Sequence, residues 1–167
     1  MSILKVDTIQ EKTTGNGVEI AHALKGSGIA GHVVNYDESA TTTQITLNNS
    51  NYVDIISTTI TPKFQNSKFK VEWNIFFYYA GSSVWDAMAT KLLRGSTAVY
   101  TDAYSLGAGA MYGPQAYMDY THQSYFDTPS TTSPITYKIQ LASYGGQTLY
   151  LQYSAQRSII TVTEIAQ

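Results

Sequence analysis

Apolar and polar residues alternate with a period of two along most of this chain, as they do in strands that bury one face. In Val71-Glu72-Trp73-Asn74-Ile75-Phe76-Phe77, the residues Val71, Trp73, Ile75 and Phe77 share a face. The other face begins polar at Lys70, Glu72 and Asn74 and turns aromatic at Phe76 and Tyr78. That pattern predicts a strand half-exposed at one end and buried on both faces at the other. Ile135-Thr136-Tyr137-Lys138-Ile139-Gln140-Leu141 alternates cleanly, with Thr136, Lys138 and Gln140 outward. Gly145-Gly146 then joins it to Leu149-Tyr150-Leu151-Gln152-Tyr153, which reads as a hairpin. Runs of this kind predict strands near 31–37, 44–49, 52–62, 68–80, 88–100, 117–126, 135–144, 148–154 and 158–166. Their spacing is that of an antiparallel all-β sandwich, and no stretch supports a helix of three turns.

The first thirty residues read differently. Ile3 to Ile9 alternates, with Leu4 and Val6 on one face, and Thr13-Thr14-Gly15-Asn16-Gly17 supplies residues that tolerate a tight turn. Val18-Glu19-Ile20 resumes the alternation, Ala21 to Leu24 suits a helical turn, and Gly26, Gly28 and Gly31 interrupt anything longer. A segment this short buries no core of its own and must dock on something else. The chain therefore divides into an N-terminal segment, 1–31, and a sandwich domain, 32–167.

Charge and composition narrow the function. Ten basic against twelve acidic residues leave a net charge of -2, which gives no basic footprint for nucleic acid. With no cysteine there is no disulfide frame, thiolate metal site or cysteine nucleophile. The longest apolar run, Ile75 to Ala80, is too short to span a bilayer, and Met1 to Thr14 lacks the apolar stretch of a secretory signal. A complete, soluble protein made inside a cell is the expectation, with no membrane insertion. Charged residues make up only 13% of the chain while aromatics also reach 13%, with 14 tyrosines. Interface cores have that balance, so the outer surface is expected to be covered in part by other copies or partners.

Catalytic chemistry is weakly represented. His22, His32 and His122 lack ligand spacing, and no metal or cofactor is expected. Asp102, Asp119 and Asp127 flank a Gly- and Tyr-rich stretch, but Asp127-Thr128-Pro129 reads as a turn in which Asp accepts backbone N–H bonds. No G-x-S-x-G, P-loop or dinucleotide motif occurs in a fitting context, so the chain is read as a non-enzyme with no catalytic residues. Tyr100 to Phe126 interleaves tyrosines with Gly, Ser, Gln and Asp, the composition of binding loops. Within it, Tyr104, Met111 and Tyr112 are candidate ligand contacts, placed in or beside the Gly-rich loop. Trp85 and Asp86, a ring beside a carboxylate, join them.

The opening Leu4-Lys5-Val6-Asp7-Thr8-Ile9-Gln10-Glu11-Lys12-Thr13-Thr14-Gly15-Asn16-Gly17-Val18 resembles the start of tail-fibre proteins from marine phages of the cyanophage type. The second half resembles their globular tips at Leu93-Arg94-Gly95-Ser96-Thr97, Phe126-Asp127-Thr128-Pro129 with Thr136-Tyr137-Lys138-Ile139-Gln140, Leu149-Tyr150-Leu151, and Ile160 to Ile165. The resemblance implies a jelly-roll tip of the tumour-necrosis-factor type, assembled as a homotrimer and displayed on the virion. It implies an N-terminal anchor on other tail or capsid proteins, with Leu4, Val6, Ile9, Val18 and Ile20 as candidate anchor residues. It further implies that the tip loops contact a host surface glycan or protein, for which Trp85, Asp86, Tyr104, Met111 and Tyr112 are the candidates taken from composition. Because the chain has almost no shaft, two alternatives stay open: a capsid or tail decoration or connector protein without receptor binding, and a polysaccharide depolymerase.

Overall fold

The computed structural model describes residues 30–79, 88–105, 117–143 and 148–167. Ten strands run β1 (Val33–Thr41), β2 (Ile45–Leu47), β3 (Val53–Ile60), β4 (Lys68–Tyr79), β5 (Met88–Arg94), β6 (Thr97–Ser105), β7 (Tyr117–Asp127), β8 (Ile135–Ser143), β9 (Leu149–Leu151) and β10 (Ser158–Ile165). A single 3-10 turn, Tyr153–Ala155, is the only helical element among the described residues. All pairings between strands are antiparallel.

The strands form two sheets. In the first, β7 pairs along β4 from Phe69 to Tyr79 and so takes one whole edge. The other edge of β4 is shared end to end by β10, opposite Lys68 to Asn74, and β9, opposite Phe77 to Tyr79. Beyond these, β1 lines β10 and β2 lines β9. This sheet is thus four strands wide, in the order β7, β4, β10 with β9, and β1 with β2. The second sheet has the order β3-β8-β5-β6. If each in-line pair counts as one interrupted strand, eight strands alternate between the sheets at every connection except the β5–β6 hairpin. That winding is a jelly roll.

The core lies between the sheets and follows the alternation. Val71, Trp73, Ile75 and Phe77 of β4 face Leu92 of β5 and Tyr137, Ile139 and Leu141 of β8, and all are buried. Each large apolar side chain taken from water there contributes about 1.5–3 kcal/mol. Two polar clasps hold the ends. The carboxylate of Glu164, fully buried, accepts from the backbone N–H of Lys63 (2.8 Å) and Phe64 (3.1 Å) and the Ser67 hydroxyl (2.6 Å), closing the loop before β4. Asp127 accepts from Arg94 Nη1 (2.9 Å), the Tyr137 hydroxyl (2.8 Å) and Thr128 N–H (2.9 Å), tying β7 to the second sheet. Asp127 thus accepts a backbone N–H as the sequence suggested, but 128–131 form no turn and the carboxylate serves mainly to join the sheets.

Three expectations are corrected. The predicted strand 88–100 is two strands, because Gly95 adopts a left-handed φ of 60° that only glycine takes at little cost, turning β5 into β6. The predicted hairpin through Gly145-Gly146 does not form: β8 belongs to the second sheet and β9 to the first. The predicted strand 148–154 ends at Leu151, where Gln152 turns left-handed. The N-terminal hairpin and helical turn predicted before residue 30 lie outside the described residues.

Candidate functional site

The two outward faces of the sandwich differ in chemistry. On the second sheet, register places Ser57 and Thr59 of β3, Thr136, Lys138 and Gln140 of β8, and Lys91 of β5 outward. These side chains satisfy one another: Thr59 bonds Thr136 (2.8 Å), Asp54 accepts from Lys138 (2.7 Å) and Gln140 (2.6 Å), and Lys91 lies over Tyr52. The Lys138 ammonium, with Gln140, holds the Asp54 carboxyl below its ordinary range. This is a solvated surface.

The outward face of the first sheet is rich in aromatic rings. Of the seven exposed large apolar side chains among the described residues, Val33, Tyr36, Met118, Tyr120, Phe126 and Tyr153 belong to it, leaving only Val53 elsewhere. The alternation that buries Trp73 and Ile75 sends Phe76 and Tyr78 outward, where they meet Tyr120 and Met118 across the β4–β7 ladder. Phe76 packs edge-on against Tyr120 at 5.1 Å, and Tyr78 stacks on Tyr150 at 6.0 Å. Tyr153 closes over both, 4.5 Å from Tyr78 and 5.9 Å from Tyr150. At the other end of the same face Lys68 sits over Phe126, and Glu38 is bonded by Tyr36 (2.7 Å) and Arg157 (2.6 Å). The exposed apolar side chains thus form two groups on one face, around Phe76 and Tyr78 and around Phe126 and Tyr36, and grouping of this kind marks an interaction site.

Tyr153 reaches this position through a strained backbone. Between β9 and β10 the chain bulges out, with Gln152, Ser154 and Ala155 at φ of 53°, 54° and 58°. Non-glycine residues in that region each cost roughly 1–2 kcal/mol. The ladder to β4 is kept across the bulge by Gln152 N–H bonding Phe76 O (3.1 Å) and by the Ser158 hydroxyl accepting from Phe76 N–H (2.9 Å). Strain that is locally maintained in this way is characteristic of functional positions.

A depression of ≈ 260 Å³ adjoins the aromatic cluster, between β4, β7 and β10. Glu72, Trp73, Asn74, His122, Ile159 and Thr161 line it. Glu72 pairs with Lys70 at 2.7 Å, while Asn74 Oδ1 is shielded from water and has no donor.

The sequence-predicted contacts fall mostly elsewhere. Trp85, Asp86, Met111 and Tyr112, and the anchor candidates Leu4, Val6, Ile9, Val18 and Ile20, lie outside the described residues. Tyr104 is corrected: its backbone belongs to β6, because pairing with β5 continues to Ser105, and not to the Gly-rich loop. The side chains of β7 divide between the two faces of the sheet. Tyr125 packs on the core, whereas Met118, Tyr120 and Phe126 stay exposed on the outer face. Asp102 is within 3.3 Å of Gln123 and 3.5 Å of Tyr100, and Asp119 accepts from Tyr120 N–H (2.7 Å). Among the described residues no cluster of three or more His, Cys, Asp or Glu is placed to hold a metal. Sequence reasoning missed Tyr36, Tyr150 and Tyr153; only the aromatic turn at Phe76 and Tyr78 pointed to this face.

No protein-family model matches the chain, and no curated protein matches it in sequence. Among solved structures it is similar to a chain of the infectious bursal disease virus Gx strain, with a TM-score of 0.45 and 13% identity over 80% of this chain and 33% of that one. It is similar to the same virus's VP2 subviral particle at 0.45 and 12%, over 81% and 33%. It is also similar to dimeric latent PorU from Porphyromonas gingivalis, at 0.37 and 10%, over 84% and 14%. The chain spans about a third of the length of the viral chains. These likenesses are distant, and the jelly-roll assignment rests on strand order.

Proposed function

We propose that the chain is a structural subunit of a virus particle that acts as a homotrimer, with the aromatic face of the first sheet closed against sister copies. The observation that carries this reading is the segregation of exposed apolar side chains. Six of the seven among the described residues lie on one outward face, and the opposite face is polar and self-satisfied. A subunit that worked alone in water would gain nothing from that asymmetry. The virion setting and the trimer come from the likeness of the N-terminal and tip motifs to marine phage fibres. In this reading residues 1–31 anchor the particle to other tail or capsid proteins through Leu4, Val6, Ile9, Val18 and Ile20.

Assembly is the better-supported role, so the chain is read first as a decoration or connector protein. Host adhesion is the second reading, favoured by the Gly-rich composition of 105–114, which carries Met111 and Tyr112, with Trp85, Asp86, Tyr104, Met111 and Tyr112 as contacts. Weak single contacts then gain avidity from many copies. Sedimentation equilibrium at neutral pH tests the assembly: a species of three 18.4 kDa chains is expected, and a single-chain species at all concentrations refutes it. Adsorption of particles carrying Tyr112→Ala separates the two roles. A loss with the trimer intact supports adhesion, and unchanged adsorption leaves the connector.

A further inference from the structure

We infer that the depression between β4, β7 and β10 is an inter-subunit socket that receives a tyrosine side chain from a second copy of the chain. The inference rests on the reading of this face as an assembly surface and names what enters it. Three features of the depression select the occupant. Ile159 and the methyl of Thr161 offer an apolar wall, which suits a ring rather than a solvated polar chain. The Glu72 carboxylate is already paired with Lys70, so neither a second cation nor an anion finds an unpaired charge there. Asn74 Oδ1 is shielded and without a donor, so a hydroxyl that enters the depression and meets the amide after it rotates would satisfy it. An apolar ring ending in one O–H donor meets all three conditions.

The same face supplies such groups. Tyr36, Tyr120 and Tyr153 are exposed on it, Tyr36 most of all at 56%, though its hydroxyl donates to Glu38 within the chain and must give up that bond to serve. In a ring of identical subunits each contact joins two different patches, so every copy carries both a knob and a socket. The depression is also continuous with the aromatic cluster. Asn74 precedes Phe76 by two positions on β4, and His122 follows Tyr120 by two on β7, so each pair shares the outward face. A partner seated on the rings therefore extends over the socket.

The absence of cysteine makes the test clean. Thr161→Cys places a thiol in the socket, and Ser57→Cys places one on the polar face of the other sheet. Maleimide labelling is followed in the assembled protein and after dilution to single chains. The socket thiol is expected to react at least tenfold more slowly when assembled and to speed up on dilution, while the Ser57→Cys thiol reacts equally fast in both. In the Thr161→Cys background, alanine replacements of Tyr36, Tyr120 and Tyr153 are made singly, and one is expected to restore fast labelling. If the protein assembles but the socket thiol labels as fast as in single chains, the socket is refuted and the assembly stands. Protection that survives all three replacements overturns the tyrosine as occupant. A chain that sediments singly at every concentration overturns the assembly itself. Thr161→Trp, which fills the depression, is expected to shift the sedimenting species toward single chains, with the melting curve of the diluted protein as the check on folding.

Discussion

Replacing Asp127 with alanine removes the one acceptor shared by Arg94, Tyr137 and Thr128. The three donors do not suffer equally. Thr128 N–H is at an exposed strand end, where water replaces the carboxylate at little cost. The Arg94 side chain is 34% exposed and partly rehydrates, so its share is at most about 1 kcal/mol. Tyr137 is fully buried, and its hydroxyl is left without an acceptor, which costs about 1–3 kcal/mol. The sum is about 3 kcal/mol, or a fall in thermal midpoint of roughly 6–12 °C for a domain of this size. Circular dichroism melts and urea titrations at one fixed chain concentration measure it, since assembly makes the midpoint concentration-dependent. A double-mutant cycle gives the sharper check. In the Tyr137→Phe background no phenol is stranded, so Asp127→Ala is expected to cost about 1 kcal/mol less or better. A destabilisation below about 1 kcal/mol, or no coupling between the two sites, refutes the view that this buried hydrogen bond fastens the sheets together.

Trp73→Ala is expected to cost about 3–5 kcal/mol, as for a large ring buried between sheets, and an unchanged urea midpoint shows that this face is not core. Glu164→Ala strands two backbone N–H groups and a hydroxyl, for a loss of about 3 kcal/mol; Glu164→Gln is milder because one oxygen still accepts, and proteolysis within 61–67 reads the difference. Burial first, and the bond to Asp127 second, push the Tyr137 phenol well above its ordinary range. The folded state then retains a proton that the unfolded state gives up above about pH 10, so stability is full below that pH and falls above it by up to about 1.4 kcal/mol per unit; Tyr137→Phe is expected to flatten this part of the profile. Ala155→Gly relieves a left-handed residue and is expected to raise the melting midpoint, the gain being about 1 kcal/mol.

The sandwich was legible because the period of two depends on nothing beyond neighbouring residues. Val71 to Phe77 and Ile135 to Leu141 fall on the faces that their alternation assigns, and Phe76 is buried as the aromatic turn of its face suggested. What failed needed information from farther away. Nothing local distinguishes Gly95, which reverses the chain within one sheet, from Gly145-Gly146, which joins strands of two different sheets. The end of β9 was missed because Gln152 turns left-handed despite having a side chain, held there by its amide bonding Ser158 (2.7 Å) and its N–H bonding Phe76 O. The candidate site was half legible. Low charge and many tyrosines pointed to exposed rings at the surface, but composition does not say which face carries them. Tyr36, Tyr120, Tyr150 and Tyr153 are separated by up to 117 positions and come to share a face only through the pairing of β1, β10, β4, β7 and β9.

The bulge at Tyr153 links the strain to the proposed assembly. Three left-handed residues cost roughly 3–6 kcal/mol together. Within one chain the visible return is the pair of ring contacts from Tyr153 to Tyr78 and Tyr150, worth about 0.5–1.5 kcal/mol each beyond their burial. Tyr153 nonetheless remains 37% exposed, so even its burial is incomplete. A plain continuation of β9 into β10 would avoid the strain and keep the ladder to β4. The bulge is therefore costly to the isolated subunit and becomes favourable only when something covers the rings it presents. A sister copy does so at no cost in specificity, because each subunit carries both the ring cluster and the polar face that must stay in water.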